Sequence, residues 1–289
     1  MNDNRLHETE QICFSGAGSM AESIVRGLIH KGVAKPAQII MHNRSNLERL
    51  EYLSGEYGVR TASQDAEKDK DLQEASVIVL AMKPKDAAEA LRALGTKLNG
   101  NPLIVSVIAG LSISTIQALL GRALPIARTM PNTSSSIGLG ATGISLSAEV
   151  NAEQQQTVMS MFEAVGQVSV IPEAQMEILT GVSGSGPAYI YYMMEAMITA
   201  GIEGGLTAEH ARELTVQTVL GAAVMMKETG EDPAKLRKDI TSPNGSTQAA
   251  IEVLDAHHFT AGVKAAVHRC AERSREMGEA VKAALSHSE

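Results

Sequence analysis

The hydrophobic pattern changes period partway along the chain. In the first part, short apolar runs are continuous: Gln11-Ile12-Cys13-Phe14-Ser15, Ile39-Ile40-Met41, Val77-Ile78-Val79-Leu80 and Leu103-Ile104-Val105-Ser106-Val107. Continuous runs suit strands that are covered on both faces, so they predict a parallel sheet flanked by helices. Between them apolar residues recur at helical spacing, as in Ile24, Val25, Leu28 and Ile29. Pro125–Thr129 and Val168–Ile171 read as later strands at the sheet edge. Asn151, with Gln154 three residues on, predicts a capped helix between those two strands.

After Pro172 no strand-like run remains. Helical patterns cover Glu173–Val182, Pro187–Gly204, Ala208–Glu228, Pro233–Asp239, Gln248–Ala256 and Thr260 onward, with N-cap signals at Thr207 and Asp232-Pro233. The expected division is therefore an α/β domain over 1–172 and an all-α domain over 173–289. The helix from Pro187 is apolar almost all round, through Ile190, Tyr191, Met193, Met194, Ala196, Met197 and Ile198. Such a helix needs cover on every face, and a small helical domain has too little interior to give it. An obligate dimer formed through the second domain is expected.

The first strand runs directly into Gly16-Ala17-Gly18-Ser19-Met20-Ala21, and a helix follows. A strand, a G-x-G-x-x-A turn and a helix in that order are the fingerprint of a Rossmann-type dinucleotide-binding fold. Gly16 makes the tight turn, Gly18 lets backbone N–H groups approach a pyrophosphate, and Ala21 permits close helix–strand packing. Gly138-Leu-Gly140-Ala-Thr-Gly143 matches the same pattern but follows a Ser-rich loop and enters the alternating Ile144-Ser145-Leu146. With no helix opening there, it reads as a loop entering a strand.

The second strand ends at His42-Asn43-Arg44-Ser45, and no acid occurs between Pro36 and Asn46. An NAD site usually places a carboxylate there for the ribose hydroxyls. Arg44 can instead pair with a 2′-phosphate, with Asn43 and Ser45 as donors, which favours NADPH while leaving NADH usable. Ser45 with Glu48 also fits a helix capping box.

Composition narrows the partners. A net charge of −8 without a basic cluster argues against nucleic acid. Two cysteines, Cys13 and Cys270, suit a reduced cytosolic protein. Met1–Glu10 is polar and shows no secretory signal, and the longest apolar run, Ala188–Ala200, is interrupted by Glu195 and too short for a bilayer. A cytoplasmic protein with no membrane partner is expected. None of the eight histidines has metal-ligand spacing, and the adjacent His257 and His258 read as surface residues.

Two polar segments in the helical half stand at helix starts: Ser183-Gly184-Ser185-Gly186 before Pro187, and Thr241-Ser242-Pro243-Asn244-Gly245-Ser246-Thr247 before Gln248. Each offers hydroxyls and free N–H groups that suit a carboxylate or phosphate. One such loop is an ordinary capped turn. Two behind a nucleotide domain point to a substrate site, with Ser185 on the first.

With these segments in view, the chain resembles the pyrroline-5-carboxylate reductases from Ile12 to about Met277. The motifs are Phe14-Ser15-Gly16-Ala17-Gly18-Ser19-Met20, Ala81-Met82-Lys83-Pro84, Val107-Ile108-Ala109-Gly110 and Arg128-Thr129-Met130-Pro131-Asn132-Thr133. The two most specific are Thr180-Gly181-Val182-Ser183-Gly184-Ser185-Gly186-Pro187-Ala188-Tyr189 and Thr241–Thr247. The resemblance implies hydride transfer from NAD(P)H to the C=N carbon of a cyclic imine, giving L-proline. It implies that Ala81–Pro84 and Val107–Ala109 line the cofactor and that the Ser242–Thr247 loop, supplied by the partner subunit, holds the substrate carboxylate. The Thr247 hydroxyl is then the catalytic contact to the ring nitrogen, and assemblies range from dimers to decamers. Ser19 stands where asparagine is common, and Asn244 replaces the first glycine of a Pro-Gly-Gly turn. Asn tolerates positive φ, so the turn is expected to survive.

Little acid–base machinery is needed, because a protonated imine is already electrophilic and alignment at roughly 3–3.5 Å does most of the work. Lys83, followed by Pro84, is read as shaping the cofactor pocket without a proton role. A β-hydroxyacid-type reductase would need a catalytic lysine, and Lys227, Lys235, Lys238 and Lys264 lie outside any Gly- or Asn-rich pattern. A nucleotide-binding regulatory homologue without turnover is the reading from another class.

Overall fold

The computed structural model describes residues 10–286, so most of the polar opening stretch Met1–Glu10 lies outside the described residues. An eight-stranded sheet has the order β3-β2-β1-β4-β5-β6-β7-β8. Its strands are β1 (Ile12–Ser15), β2 (Ile39–His42), β3 (Arg60–Ala62), β4 (Val77–Leu80), β5 (Leu103–Ser106), β6 (Ile126–Met130), β7 (Gly140–Leu146) and β8 (Gly166–Val170). β1 to β6 pair in parallel, β7 runs antiparallel to β6, and β8 pairs parallel to β7. The order reverses between β1 and β4, and there an open α/β sheet leaves a crevice at the strand C-termini.

The helices around the sheet are α1 (Ser19–His30), α2 (Leu47–Tyr57), α3 (Asp65–Glu74), α4 (Pro84–Gly95), α5 (Ile113–Leu120) and α6 (Ala152–Glu163). Two apolar clusters cover the two faces. One gathers Phe14, Ile24, Leu28, Met41 and Phe162, and the other Cys13, Ile78, Leu91, Ile104 and Ile116. The central strands are buried on both faces, which is why their sequences run apolar without alternation. Asn151 and Gln154 form the reciprocal cap that opens α6. The rejected glycine pattern is a left-handed Gly138 followed by β7. The three-residue β3, absent from the sequence expectations, is an edge strand with an exposed start.

Beyond the sheet come α7 (Met176–Leu179), α8 (Gly186–Glu203), α9 (Ala208–Thr229), α10 (Pro233–Asp239), α11 (Ser246–Ala256) and α12 (Phe259–Ser286). Thr207 and Asp232 cap α9 and α10 through their side chains. The chain divides into two compact units. One takes the chain up to Ser185 together with the stretch from His268 onward, and the other is Gly186–Val267. α8, α10 and α11 have no buried residue in the single chain.

Two local expectations are corrected. Glu173–Val182 is not one helix: a 3-10 turn (Glu173–Gln175) leads into α7 and then a π-turn (Thr180–Gly184). The cap of α2 is Asn46, which accepts from the Arg49 N–H at 2.9 Å, and not Ser45. Asn43 Oδ1 already accepts from Ser45 N and Asn46 N, which turns the chain one residue further before the helix starts.

Candidate active site

Ser15 ends β1, and its carbonyl accepts from Ala81 N at 2.9 Å, joining the glycine turn to the end of β4. Gly16 has φ +119, and a Cβ there would lie 2.5 Å from the Ala81 carbonyl oxygen. No other residue fits that corner. At Gly18 an added Cβ meets nothing within 4 Å, so open space lies over the turn. Gly18 caps α1 without a side-chain bond, leaving the first-turn N–H groups of Ser19 and Met20 without intrahelical partners. Ala17 and Ala21 are buried beneath them. A cradle of backbone donors under open space at a helix N-terminus fits a dinucleotide pyrophosphate.

Around this cradle, Ala81 and Met82 follow β4, exposed Lys83 caps α4, and Pro84 occupies its first turn. Val107 packs on one apolar cluster, whereas Ile108 is buried in the other. Ile108 can therefore line a ligand only through its backbone, while Ala109 is partly exposed. Arg44 extends into solvent with its side chain 83% exposed, and its nearest carboxylate is Asp86 at 3.8 Å. Its guanidinium is available to a phosphate beside Asn43 and Ser45.

Two braces were not foreseen. Arg49 donates through Nε to the Ala17 carbonyl at 3.0 Å and pairs with Glu22, which also accepts from Tyr57 Oη at 2.8 Å. Burial acts to raise the Glu22 pKa, but the hydrogen bonds from Arg49 and Tyr57 outweigh it and hold the carboxyl below its ordinary value. Burial and then Glu22 push the Tyr57 phenol up to about 12. Under the second strand, His42 Nε2 lies 3.1 Å from Asp71 Oδ2, and Asp71 Oδ1 accepts from Arg60 at 2.9 Å. Burial lowers the His42 pKa despite Asp71, and burial raises that of the adjacent Cys13 thiol. The one local signal for this network is a histidine closing an otherwise apolar strand. The contacts of Arg49 span long sequence separations.

The Ser183–Gly186 segment departs from the expected open loop. Ser183 Oγ donates to the Leu179 carbonyl at 3.2 Å, and the Ser185 N–H donates to the Thr180 carbonyl at 2.9 Å. Ser185 Oγ accepts from the Cys270 thiol at 3.2 Å, so its own O–H remains to donate. The Ser185 N–H, expected to be free, is therefore engaged.

The Thr241–Thr247 segment keeps its open donors. Gly245 N donates to the Ser242 carbonyl at 3.0 Å around Pro243 and Asn244, and Asn244 has φ +57. Proline second and a positive φ third form a type II pattern, with Asn in the glycine role. Asn244 N donates to Gln248 Oε1 at 2.9 Å. α11 starts at Ser246, two residues earlier than expected, and Gly245 caps it without a side chain. The N–H groups of Ser246 and Thr247 are thus first-turn donors, with the Ser242, Ser246 and Thr247 hydroxyls close in sequence.

The pyrroline-5-carboxylate reductase dimerisation family matches residues 173–277, and a family described as NADP oxidoreductase, coenzyme F420-dependent, matches residues 11–110. The chain is similar to pyrroline-5-carboxylate reductase 1 of Bacillus spizizenii, with 41% identity over 96% of this chain and 92% of that one. Among solved structures it is similar to a pyrroline-5-carboxylate reductase from Coxiella burnetii: TM-score 0.84, 38% identity, covering 93% of this chain and 99% of that one. It is also similar to the Plasmodium falciparum pyrroline carboxylate reductase with NADP bound: TM-score 0.85, 27% identity, covering 94% and 100%.

Proposed function

The chain belongs to the pyrroline-5-carboxylate reductase family, and from that premise we propose how its residues reduce 1-pyrroline-5-carboxylate to L-proline. The turn at Ser242–Gly245 carries this proposal: it uses two of its own N–H groups to set its shape and opens α11 with further donors free. Those donors, with the Ser242 and Ser246 hydroxyls, hold the substrate carboxylate at the positive end of the helix. Asn244 and Gly245 shape the turn, and Ser185 offers its O–H as an additional donor.

When bound, NADPH supplies the hydride that adds to the C=N carbon. Gly16, Ala17, Gly18, Ser19 and Met20 hold its pyrophosphate, Arg44 with Asn43 and Ser45 its 2′-phosphate, and Ala81–Pro84 with Val107–Ala109 its remaining length. NADH fits the same cradle but offers nothing for Arg44. The protonated ring nitrogen donates to the Thr247 hydroxyl oxygen, which orients the ring; no general acid is needed, because the imine arrives protonated.

The protein is a homo-oligomer. We place its basic unit as a dimer made through the helical half, with the Ser242–Thr247 loop serving the partner's cofactor and a decamer as the larger form. Among the described residues no helix is long and apolar enough to cross a membrane. Free Cys13 and Cys270 support a reduced cytoplasmic setting.

Thr247→Ala tests the substrate side. Turnover is expected to fall about 10- to 100-fold, the value of one hydrogen bond to a charged group, with NADPH affinity unchanged. Wild-type rates would remove Thr247 from the chemistry.

A further inference from the structure

The motif from Arg128 to Asn132 has no role in the site as described, yet it is unusually polar for its burial. Arg128, Thr129 and Asn132 are 4%, 1% and 8% exposed. Buried polar side chains are favoured where their hydrogen bonds are made, and here Arg128 and Asn132 reach the 173–184 segment while Thr129 reaches the end of β5. Arg128 donates to Glu173 at 3.1 Å and Glu177 at 2.6 Å, below the π-turn. Thr129 Oγ1 donates to the Ser106 carbonyl at 3.0 Å, where β5 passes into the Val107–Ala109 turn. Asn132 Nδ2 donates to the Ser183 carbonyl at 3.0 Å, while its Oδ1 accepts from Ala141 N at 3.2 Å.

The strand period explains this division. Arg128, Met130 and Asn132 alternate onto the side of the 173–184 segment, and Thr129 points the other way. Met130 lies against Gly184, where an added Cβ would be 2.7 Å from its Cε.

The Ser183 carbonyl shows what Asn132 supplies. In a continuing α-helix its partner would be the N–H four residues on, but that residue is Pro187, which has none. Asn132 provides the missing donor from outside the helix. π-turns are rare and recur at functional sites. The Thr180–Ser185 backbone bond and the Ser183 Oγ bond to the Leu179 carbonyl hold the turn from within, and Asn132 ties it to the strand.

We propose that Asn132 and Thr129 are positioning residues for hydride transfer, fixing the π-turn that carries Ser185 and the cofactor-lining turn after Ser106 to one rigid strand. This rests on the substrate and cofactor roles assigned above to Ser185 and to Val107–Ala109. Neither residue touches a reacting atom. Their effect is on how well donor and acceptor are aligned.

Asn132→Ala and Thr129→Val test it, by steady-state kinetics and by the primary isotope effect with NADPH deuterated at the transferred position. The expected result is a fall in kcat of about 10- to 100-fold for Asn132→Ala, the scale of a small misalignment. A smaller fall is expected for Thr129→Val. In both, the isotope effect rises as chemistry becomes slower than release, and the Kd for NADPH is unchanged. Lower thermal stability with kcat and the isotope effect intact would overturn the proposal, as would a weaker NADPH Kd with intact kcat. Should Asn132→Ala not fold, Asn132→Ser and Thr129→Val are judged by the same criteria. Thr247→Ala is run alongside. If it turns over at wild-type rate, the substrate reading fails; if it is slow while both strand variants are normal, only the positioning role fails.

Discussion

The sheet-bearing unit and the Gly186–Val267 unit hide their apolar residues very differently. In the first, Ile12, Phe14, Ile40, Ile78, Val105 and Phe162 are fully buried within one chain. In the second, Ala211 and Thr215 are the buried residues of α9, and α8, α10 and α11 have none. Tyr192, Leu214 and Leu220 remain 78%, 58% and 50% exposed. At about 1.5–3 kcal/mol for each large apolar side chain covered, that surface is a strong drive to associate. One half has a complete core. On the dimer proposed above, the other is completed by a second copy.

The largest effect is expected where the incomplete half is broken. Leu220→Glu puts a charge on the apolar face of α9, and two copies per dimer should weaken association roughly 1,000-fold. Sedimentation should show the smaller species, with NADPH affinity retained because the sheet unit is untouched. A variant that stays fully assembled would place the interface elsewhere.

The converse change breaks the complete half. Gly16→Ala adds backbone strain at φ +119 and a clash with the Ala81 carbonyl, and should cut NADPH affinity roughly 100-fold without altering the assembly. Normal NADPH titration would show that the turn is not the cofactor cradle. Arg44→Ala is milder, since the side chain stands in solvent. NADPH affinity should fall about 10-fold and NADH affinity not at all, measured by fluorescence titration. Equal effects on both would make Arg44 a surface residue.

The smallest effect concerns His42. Its pKa lies below the ordinary 6.5 in the folded state, mainly through burial. A lowered folded value means that its share of stability is fully present above pH 6.5 and is lost as pH falls through the folded value. Thermal melts should therefore drop less between pH 7 and pH 5 for His42→Gln than for wild type. Parallel curves would assign the acid sensitivity to other groups.

What was legible in the sequence depended on how local the signal was. β1, the glycine turn and α1 were readable because periodicity, small residues and order all act within about 20 positions, and the flanks of Gly138–Gly143 ruled out its imitation. Positive φ at Asn244 followed from one residue's tolerance for that conformation. The π-turn was not legible: its apolar spacing continues that of a helix, while Ser and Gly beside Pro187 imitate a loop. Nor were the Arg49 bond to Ala17, the His42–Asp71–Arg60 network or the bonds of Asn132. Each joins residues 9 to 51 positions apart, and no local pattern encodes such a contact. The candidate substrate residues were found by motif, but the N–H groups still free among them became clear only from the observed turn geometry.

The most direct test is the rate of NADPH oxidation by the wild-type protein when 1-pyrroline-5-carboxylate is added, with L-proline quantified in the same sample. Rapid, substrate-dependent oxidation with one proline formed per NADPH, faster than with NADH, is the predicted result. Tight NADPH binding with no oxidation on adding substrate would contradict the account and leave a nucleotide-binding regulatory protein on the same fold.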